Sequence, residues 1–77
     1  MMKIQVIGSG CQKCKTLAQH TEQAVAELGI HAEVVKVTDL REIMALGVML
    51  TPALAVNGSV KFTGKVPTLA EIKVMLQ

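Results

Sequence analysis

Two hydrophobic periodicities follow one another in the N-terminal half of the chain. Residues 3–7 and the valine-rich residues 30–37 predict two strands. Between them, small and apolar side chains recur every three or four residues and predict a helix that ends at Gly29. Its inward face holds Cys14, Leu17, Ala18, Thr21, Val25 and Leu28. A strand, a helix and a strand in this order predict a parallel strand pair with a right-handed crossover.

The next segment predicts a short helix and a hairpin. Asp39 and Glu42 form the acidic variant of a capping box, so a helix is expected to begin there and to end at Gly47. Two short apolar stretches, residues 53–56 and 60–63, then flank the Asn-Gly pair at positions 57 and 58. Asn-Gly between apolar runs is the strongest local signal for a β-hairpin.

A second capping box, Thr68 with Glu71, predicts that the chain finishes as a helix with Leu69, Ile72 and Leu76 turned inward. The expected element order is therefore β-α-β-α-β-β-α. This order predicts an α/β fold with a four-stranded mixed sheet and three helices.

Composition narrows the class of protein. The 77 residues, of which 51% are hydrophobic and 18% charged, predict one globular domain over residues 1–77. Phe62 is the sole aromatic residue and the net charge of +2 is spread along the chain, so neither nucleic acid nor a membrane surface is an expected partner. The longest nearly apolar tract, residues 47–56, is shorter than a membrane span. We expect a cytoplasmic protein.

The two cysteines lie at the beginning of the first predicted helix, in the stretch VIGSGCQKCKTL. Cys14 falls on the buried face, whereas Cys11 lies where the chain leaves a glycine-containing loop. Unpaired N–H groups and the positive end of the helix dipole favour a thiolate at Cys11, with a modest contribution from Lys13 and Lys15. Because residues i and i+3 are neighbours on a helix, the two thiols can close a disulfide. Gly10 and Gly8 leave the approach to Cys11 open.

Metal binding is an alternative use of the paired cysteines. A zinc site requires four ligands, and the remaining candidates, His20 and His31, are expected to be solvated surface residues. Three methionines are expected to fill the core rather than to bind a soft metal: Met44, Met49 and Met75. A Cu(I) or Zn(II) carrier nevertheless stays open as an alternative, because the N-terminal strand and paired cysteines are similar to those of heavy-metal-associated domains. Those domains end on a strand, whereas this chain is expected to end on a helix.

A second signature is Thr51-Pro52, directly before the third predicted strand. With the paired cysteines and the terminal helix, it resembles the thioredoxin and glutaredoxin superfamily, and most closely its small redox-active disulfide proteins. The resemblance covers nearly the whole chain. It implies a minimal thioredoxin-like fold, a cis peptide bond at Pro52, and thiol–disulfide oxidoreductase activity without a bound cofactor.

The same resemblance implies roles for individual residues. Cys11 would be the nucleophile and Cys14 the resolving thiol, while Pro52 would shape the client groove and the backbone of Thr51 would pair with an extended client segment. Gly10 and Lys13 stand beside the cysteines and are expected to contact substrate. Disulfide-containing client proteins and a protein disulfide reductase are the implied partners of a monomer. A non-catalytic module that uses only the groove is a further alternative.

The chain also departs from the larger families. Gly10 stands before the first cysteine in place of the thioredoxin Trp, and Gln12-Lys13 replaces Gly-Pro between the cysteines. No carboxylate of the first strand matches the buried one of thioredoxins. The stretch TGKVPT replaces the Gly-Gly-x-Asp of glutaredoxins, so glutathione is not an expected substrate.

Overall fold

The computed structural model describes residues 2–10 and 12–77. In chain order its elements are β1 (Met2–Ile7), α1 (Gln12–Leu28), β2 (Ala32–Val37), α2 (Leu40–Ala45), β3 (Ala53–Val56), β4 (Ser59–Thr63) and α3 (Leu69–Leu76). The strands form a mixed sheet of four in the order β2-β1-β3-β4. The predicted α/β fold, with its element order, sheet and three helices, is confirmed.

The parallel pair of β1 with β2 and the antiparallel pair of β1 with β3 define the centre of the sheet. Asn57 and Gly58 turn the chain from β3 into β4, and both adopt the positive φ angles that this tight hairpin requires. The predicted hairpin is therefore present. Strands β1, β2 and β4 differ by one or two residues from the predicted bounds, because their ends are set by the pairing register rather than by apolar content.

The helices cover the two faces of the sheet unequally. On one face, α1 and α3 pack against a core that includes Ile4, Leu17, Leu54 and Ile72. On the other face the six-residue helix α2 contributes Ile43 to a smaller cluster. Strands β1 and β3 contribute side chains to both clusters, because successive side chains of a strand point to opposite faces of the sheet.

The helix caps follow the sequence signals. The carboxylate of Asp39 accepts hydrogen bonds from the N–H groups of Arg41 and Glu42 at the beginning of α2. Thr68 and Glu71 form a complete capping box at α3: the Thr68 hydroxyl accepts from the Glu71 N–H, and the Glu71 carboxylate accepts from the Thr68 N–H. These bonds satisfy N–H groups that a helix leaves without internal partners.

Two expectations about side-chain exposure were wrong. Met44 is 67% exposed and Met49 is 94% exposed, so neither fills the core. Helix α2 has fewer than two turns, and its buried residue Ile43 leaves the neighbouring Met44 turned away from the sheet. Met75 is partly buried against the larger core, as expected of a core methionine.

The expectation for His20 was also wrong, whereas His31 is exposed as predicted. His20 is partly buried, and its Nδ1 lies 3.3 Å from the carbonyl oxygen of Pro67. The cause is the packing of α1 against α3 and the segment before it, which covers a flank of α1 that the periodicity alone assigns to solvent.

Candidate active site

Cys14 is a buried, disulfide-bonded residue in the first turn of α1, with 6% of its surface exposed. The buried face of α1 continues from it through Leu17, Ala18 and Thr21. This agrees with the helical periodicity from which the burial of Cys14 was predicted. Cys11, the predicted nucleophile, lies outside the described residues.

Gly8 brings the end of β1 against the Cys14 side chain. A Cβ atom at Gly8 would overlap Sγ of Cys14 and would stand 3.3 Å from its Cβ and 3.8 Å from Cα of Pro52. Gly8 therefore lies against both the buried sulfur and the proline. Strand pairing accounts for the contact between Gly8 and Pro52. Ile7 pairs with Ala53 in the antiparallel sheet, so the residue after Ile7, Gly8, lies beside the residue before Ala53, Pro52.

Thr51 and Pro52 lie directly before β3. Their peptide bond is cis, as the resemblance implies. Pro52 is fully buried, and its carbonyl oxygen accepts a hydrogen bond of 2.8 Å from the N–H of Gly64. Thr51 is exposed. The pair consequently presents Thr51 to solvent while Pro52 is fixed beside Gly8.

Gly10 and Lys13 are both exposed next to this site. Gly10 has a φ angle of 90°, in a region that L-residues rarely adopt, and no atom outside its own neighbourhood comes within 4 Å of a Cβ built there. Lys13 occupies the first turn of α1, which contains no acidic side chain. A positive first turn of this kind favours anionic groups near its N-terminus.

A cavity of about 130 Å³ adjoins the buried cysteine. It is lined by Val6, Gly8, Gly10, Cys14, Lys15, Ala18, Lys36 and Thr38. Lys36 was missed by sequence reasoning. The signal that reveals it is strand register: parallel pairing places Lys36 of β2 beside Val6 of β1, at the edge of the sheet where β1 leads toward α1.

The carboxyl groups with shifted pKa values lie on the helices away from Cys14. A hydrogen bond from Lys73 is the main cause that lowers the pKa of Glu27, and Gln23 adds a second bond. Hydrogen bonds from Thr68 lower the pKa of Glu71, the backbone N–H contributing more than the hydroxyl. Both groups support the packing or capping of α3, and neither lines the cavity at Cys14.

Comparison with known proteins identifies the family. A family model described as "Thioredoxin domain" matches residues 2–77. The chain belongs to the thioredoxin family. It is 43% identical over 76 residues to a protein named "Thioredoxin" from Methanothermobacter thermautotrophicus, with 99% of each chain covered. It is 47% identical over 73 residues to one of the same name from Methanocaldococcus jannaschii, covering 95% of this chain and 84% of that relative.

Membership of this family makes the chain a thiol–disulfide oxidoreductase. The described elements agree, since their order, β-α-β-α-β-β-α, is that of a minimal thioredoxin-like fold. No helix within residues 2–10 and 12–77 has both the length and the apolar character needed to cross a lipid bilayer.

Proposed function

We propose that the protein reduces disulfides of client proteins by exchange through Cys11 and Cys14, and that a protein disulfide reductase restores its dithiol form. The observation that carries the proposal is the sheltered position of Cys14, in the first turn of α1 and against Gly8. Thiol–disulfide exchange requires a second thiol close to the attacking one to resolve the mixed disulfide, and a protected thiol three residues further along the chain fulfils this requirement.

The proposed exchange has two steps. The Cys11 thiolate attacks one sulfur of the client disulfide, forms a mixed disulfide and releases the other client sulfur as a thiolate. The Cys14 thiolate then attacks the Cys11 sulfur, releases the client's second thiolate and leaves a Cys11–Cys14 disulfide. Two electrons pass from the protein to the client. The upstream reductase supplies two electrons to reopen the disulfide, so no bound cofactor is needed in this chain.

The beginning of α1 supports the role of Cys11 as the attacking thiol. Cys11 directly precedes Gln12, the first described residue of the helix, in the sequence. Helix N-termini stabilise thiolates through unpaired N–H groups and the helix dipole. The exposed lysines Lys13 and Lys15 add positive charge, and the first turn holds no carboxylate to oppose it.

Client binding is proposed at Thr51, Pro52, Gly10 and Lys13. An extended client segment would pair with the backbone of exposed Thr51, in the manner of strand addition. Pro52, which is buried beside Gly8, would form the floor of this client site. The missing Cβ of Gly10 leaves the approach open, and Lys13 would meet the solvent-exposed side of the client.

We further propose that a single copy over residues 1–77 acts as one domain in the cytoplasm, without nucleic acid or membrane as a partner. The modest charge of +2, spread along the chain, supports the absence of nucleic acid and membrane partners. Reducing conditions in that compartment support a cysteine pair used for exchange rather than as a permanent crosslink.

The test compares Cys11→Ser with Cys14→Ser in a reaction with a disulfide-containing protein such as insulin. Cys11→Ser should abolish turnover and give no mixed disulfide. Cys14→Ser should accumulate a mixed disulfide, because the first step proceeds and the second cannot. Intact-mass measurement after acid quenching distinguishes these results. Equal behaviour of the two variants, or trapping by Cys11→Ser instead, would contradict the assigned roles.

A further inference from the structure

Helix α2 and the segment that follows it expose large apolar side chains beside the candidate site. Leu40 and Met44 on α2, with Met49 and Leu50 after it, are each more than 60% exposed. Together they give a small protein a concentrated apolar surface, which is typical of an interaction site.

Much of this surface lines one groove of about 350 Å³, here called the α2 groove. It is lined by Ser9, Leu40, Ile43, Met44, Val48, Met49 and Thr51. These side chains carry no charge. Ser9 and Thr51 connect the groove to the site, because Ser9 follows Gly8 and Thr51 precedes Pro52, the two residues that meet beside Cys14. The occupant that this lining fits is an uncharged, apolar segment next to a client disulfide.

We propose that the Met44 and Met49 thioethers form a peroxide-sensitive modification site that controls client docking in the α2 groove. The inference rests on the proposed function, since it concerns the same clients. Methionine suits such a surface because its flexible, polarizable side chain adapts to partners of different shape. Oxidation converts that side chain into a polar one.

The reaction is balanced with hydrogen peroxide as the oxidant. The thioether sulfur attacks one peroxide oxygen, the O–O bond breaks, and water is the product together with methionine sulfoxide. The sulfur loses two electrons and the peroxide gains them. The new sulfoxide oxygen requires hydrogen-bond partners that an uncharged apolar client segment does not offer, so docking becomes weaker.

Met2 and Met75 are internal controls for the reactivity of the groove methionines with peroxide. Met2 and Met75 are partly buried and pack against the larger core, whereas Met44 and Met49 present their side chains to solvent. Peroxide should therefore modify the two groove methionines before Met2 and Met75. Thiol oxidation does not interfere when the protein begins in its disulfide form.

The experiment treats disulfide-form protein with graded hydrogen peroxide, removes the oxidant, and measures insulin reduction with dithiothreitol as the electron donor. Peptide mass spectrometry locates each gain of about 16 Da, one oxygen atom. When both groove methionines are oxidised, kcat/KM should fall about tenfold, because complete burial of a methionine side chain contributes at least that factor to an equilibrium constant. In the non-oxidisable Met44→Leu/Met49→Leu variant, kcat/KM after the same treatment should equal the value measured for that variant before treatment. Met44→Gln/Met49→Gln should be slow without peroxide.

Each other result has a definite meaning. Full activity with both groove methionines oxidised, equal losses in wild type and the Leu variant, or equally fast oxidation of Met2 and Met75 would overturn the inference. A dimer in size-exclusion chromatography that dissociates when Met44 and Met49 are oxidised would also overturn it, since a second copy would then occupy the groove. Untreated wild type without insulin reductase activity would overturn the proposed function itself, and this inference with it.

Discussion

Sγ of Cys14 occupies the place that a side chain on Gly8 would need. A Cβ built at Gly8 overlaps that sulfur and lies 3.8 Å from Cα of Pro52. The φ angle of Gly8 lies outside the left-handed region, so glycine is required here for space and not for backbone conformation. Gly8, directly after β1, thus packs against the Cys14 side chain and holds it in place.

Gly8→Ala is expected to displace Cys14, because neither the β1 backbone nor the buried Pro52 can readily move away from the added methyl group. Overpacking of this kind destabilises a protein by about 1–3 kcal/mol. The variant should also resolve mixed disulfides more slowly, since the sulfur no longer occupies its native position. Urea unfolding measures the first effect, and stopped-flow reaction with a client disulfide measures the second.

Gly58→Ala is the matched control for this substitution. Gly58 has a φ angle of 84° with no atom within 4 Å of a built Cβ, and it lies at the opposite end of β3 from Pro52. Alanine there should cost about 1–2 kcal/mol through backbone strain alone. Its disulfide chemistry should match that of the wild type. If Gly8→Ala resolved mixed disulfides as fast as Gly58→Ala, the contact with Cys14 would have no kinetic role.

Helix α3 allows a direct test of where the stability lies. Ile72 is fully buried and Val74, two residues later, is 72% exposed. Ile72→Ala should lower the free energy of unfolding by about 2–5 kcal/mol through lost burial and a residual cavity. Val74→Ala should change it by less than about 0.5 kcal/mol. Urea titrations followed by circular dichroism measure both changes, and similar losses for the two variants would contradict the burial of Ile72 in the core.

The fold could be predicted from the sequence because each element has a signal in its own local sequence. The Asn57-Gly58 turn and the Thr68 capping box are read directly from neighbouring residues, and both are present in the structure. The methionines show the limit of this reasoning. Met44 and Met49 are apolar, but their exposure depends on how little of the sheet the short helix α2 covers, which is a tertiary property.

The candidate site was predictable in part for the same reason. Helical periodicity placed Cys14 on the buried face, and the Thr-Pro dipeptide marked the beginning of β3. The approach of Gly8 to Pro52 and the position of Lys36 beside Val6 follow from strand register across residues that are distant in sequence. Periodicity within one segment contains no such information.

Lys13 offers a test of the electrostatic contribution to Cys11. Lys13→Gln removes one exposed positive charge from the first turn of α1. Since exposed charges interact weakly in water, the alkylation rate of Cys11 by iodoacetamide below neutral pH should fall only about twofold at low salt. The difference should disappear at about 1 M salt, where screening is strong. Lys61→Gln, on exposed β4, should leave the rate unchanged; an equal decrease in that variant would show a general effect of net charge.

The capping box of α3 predicts how stability depends on pH. The pKa of Glu71 is lowered from its ordinary value of 4.5, chiefly by the hydrogen bond that its carboxylate accepts from the Thr68 N–H. A lowered pKa in the folded state means that the carboxylate stabilises the protein above the unfolded value, and that this contribution is lost as the pH falls through the folded value. Glu71→Gln retains a hydrogen-bond acceptor but cannot titrate.

Wild type should therefore be more stable than Glu71→Gln at neutral pH, and the difference should shrink below pH 4.5 toward a value that no longer changes once the carboxyl is protonated. Glu27, whose pKa is lowered by its hydrogen bond with Lys73, titrates in both proteins, so its effect cancels in the comparison. Urea midpoints measured across the acid range test this directly. A difference that stayed constant with pH would mean that the negative charge of Glu71 contributes nothing to the cap, and that its amide replacement loses only packing or geometry.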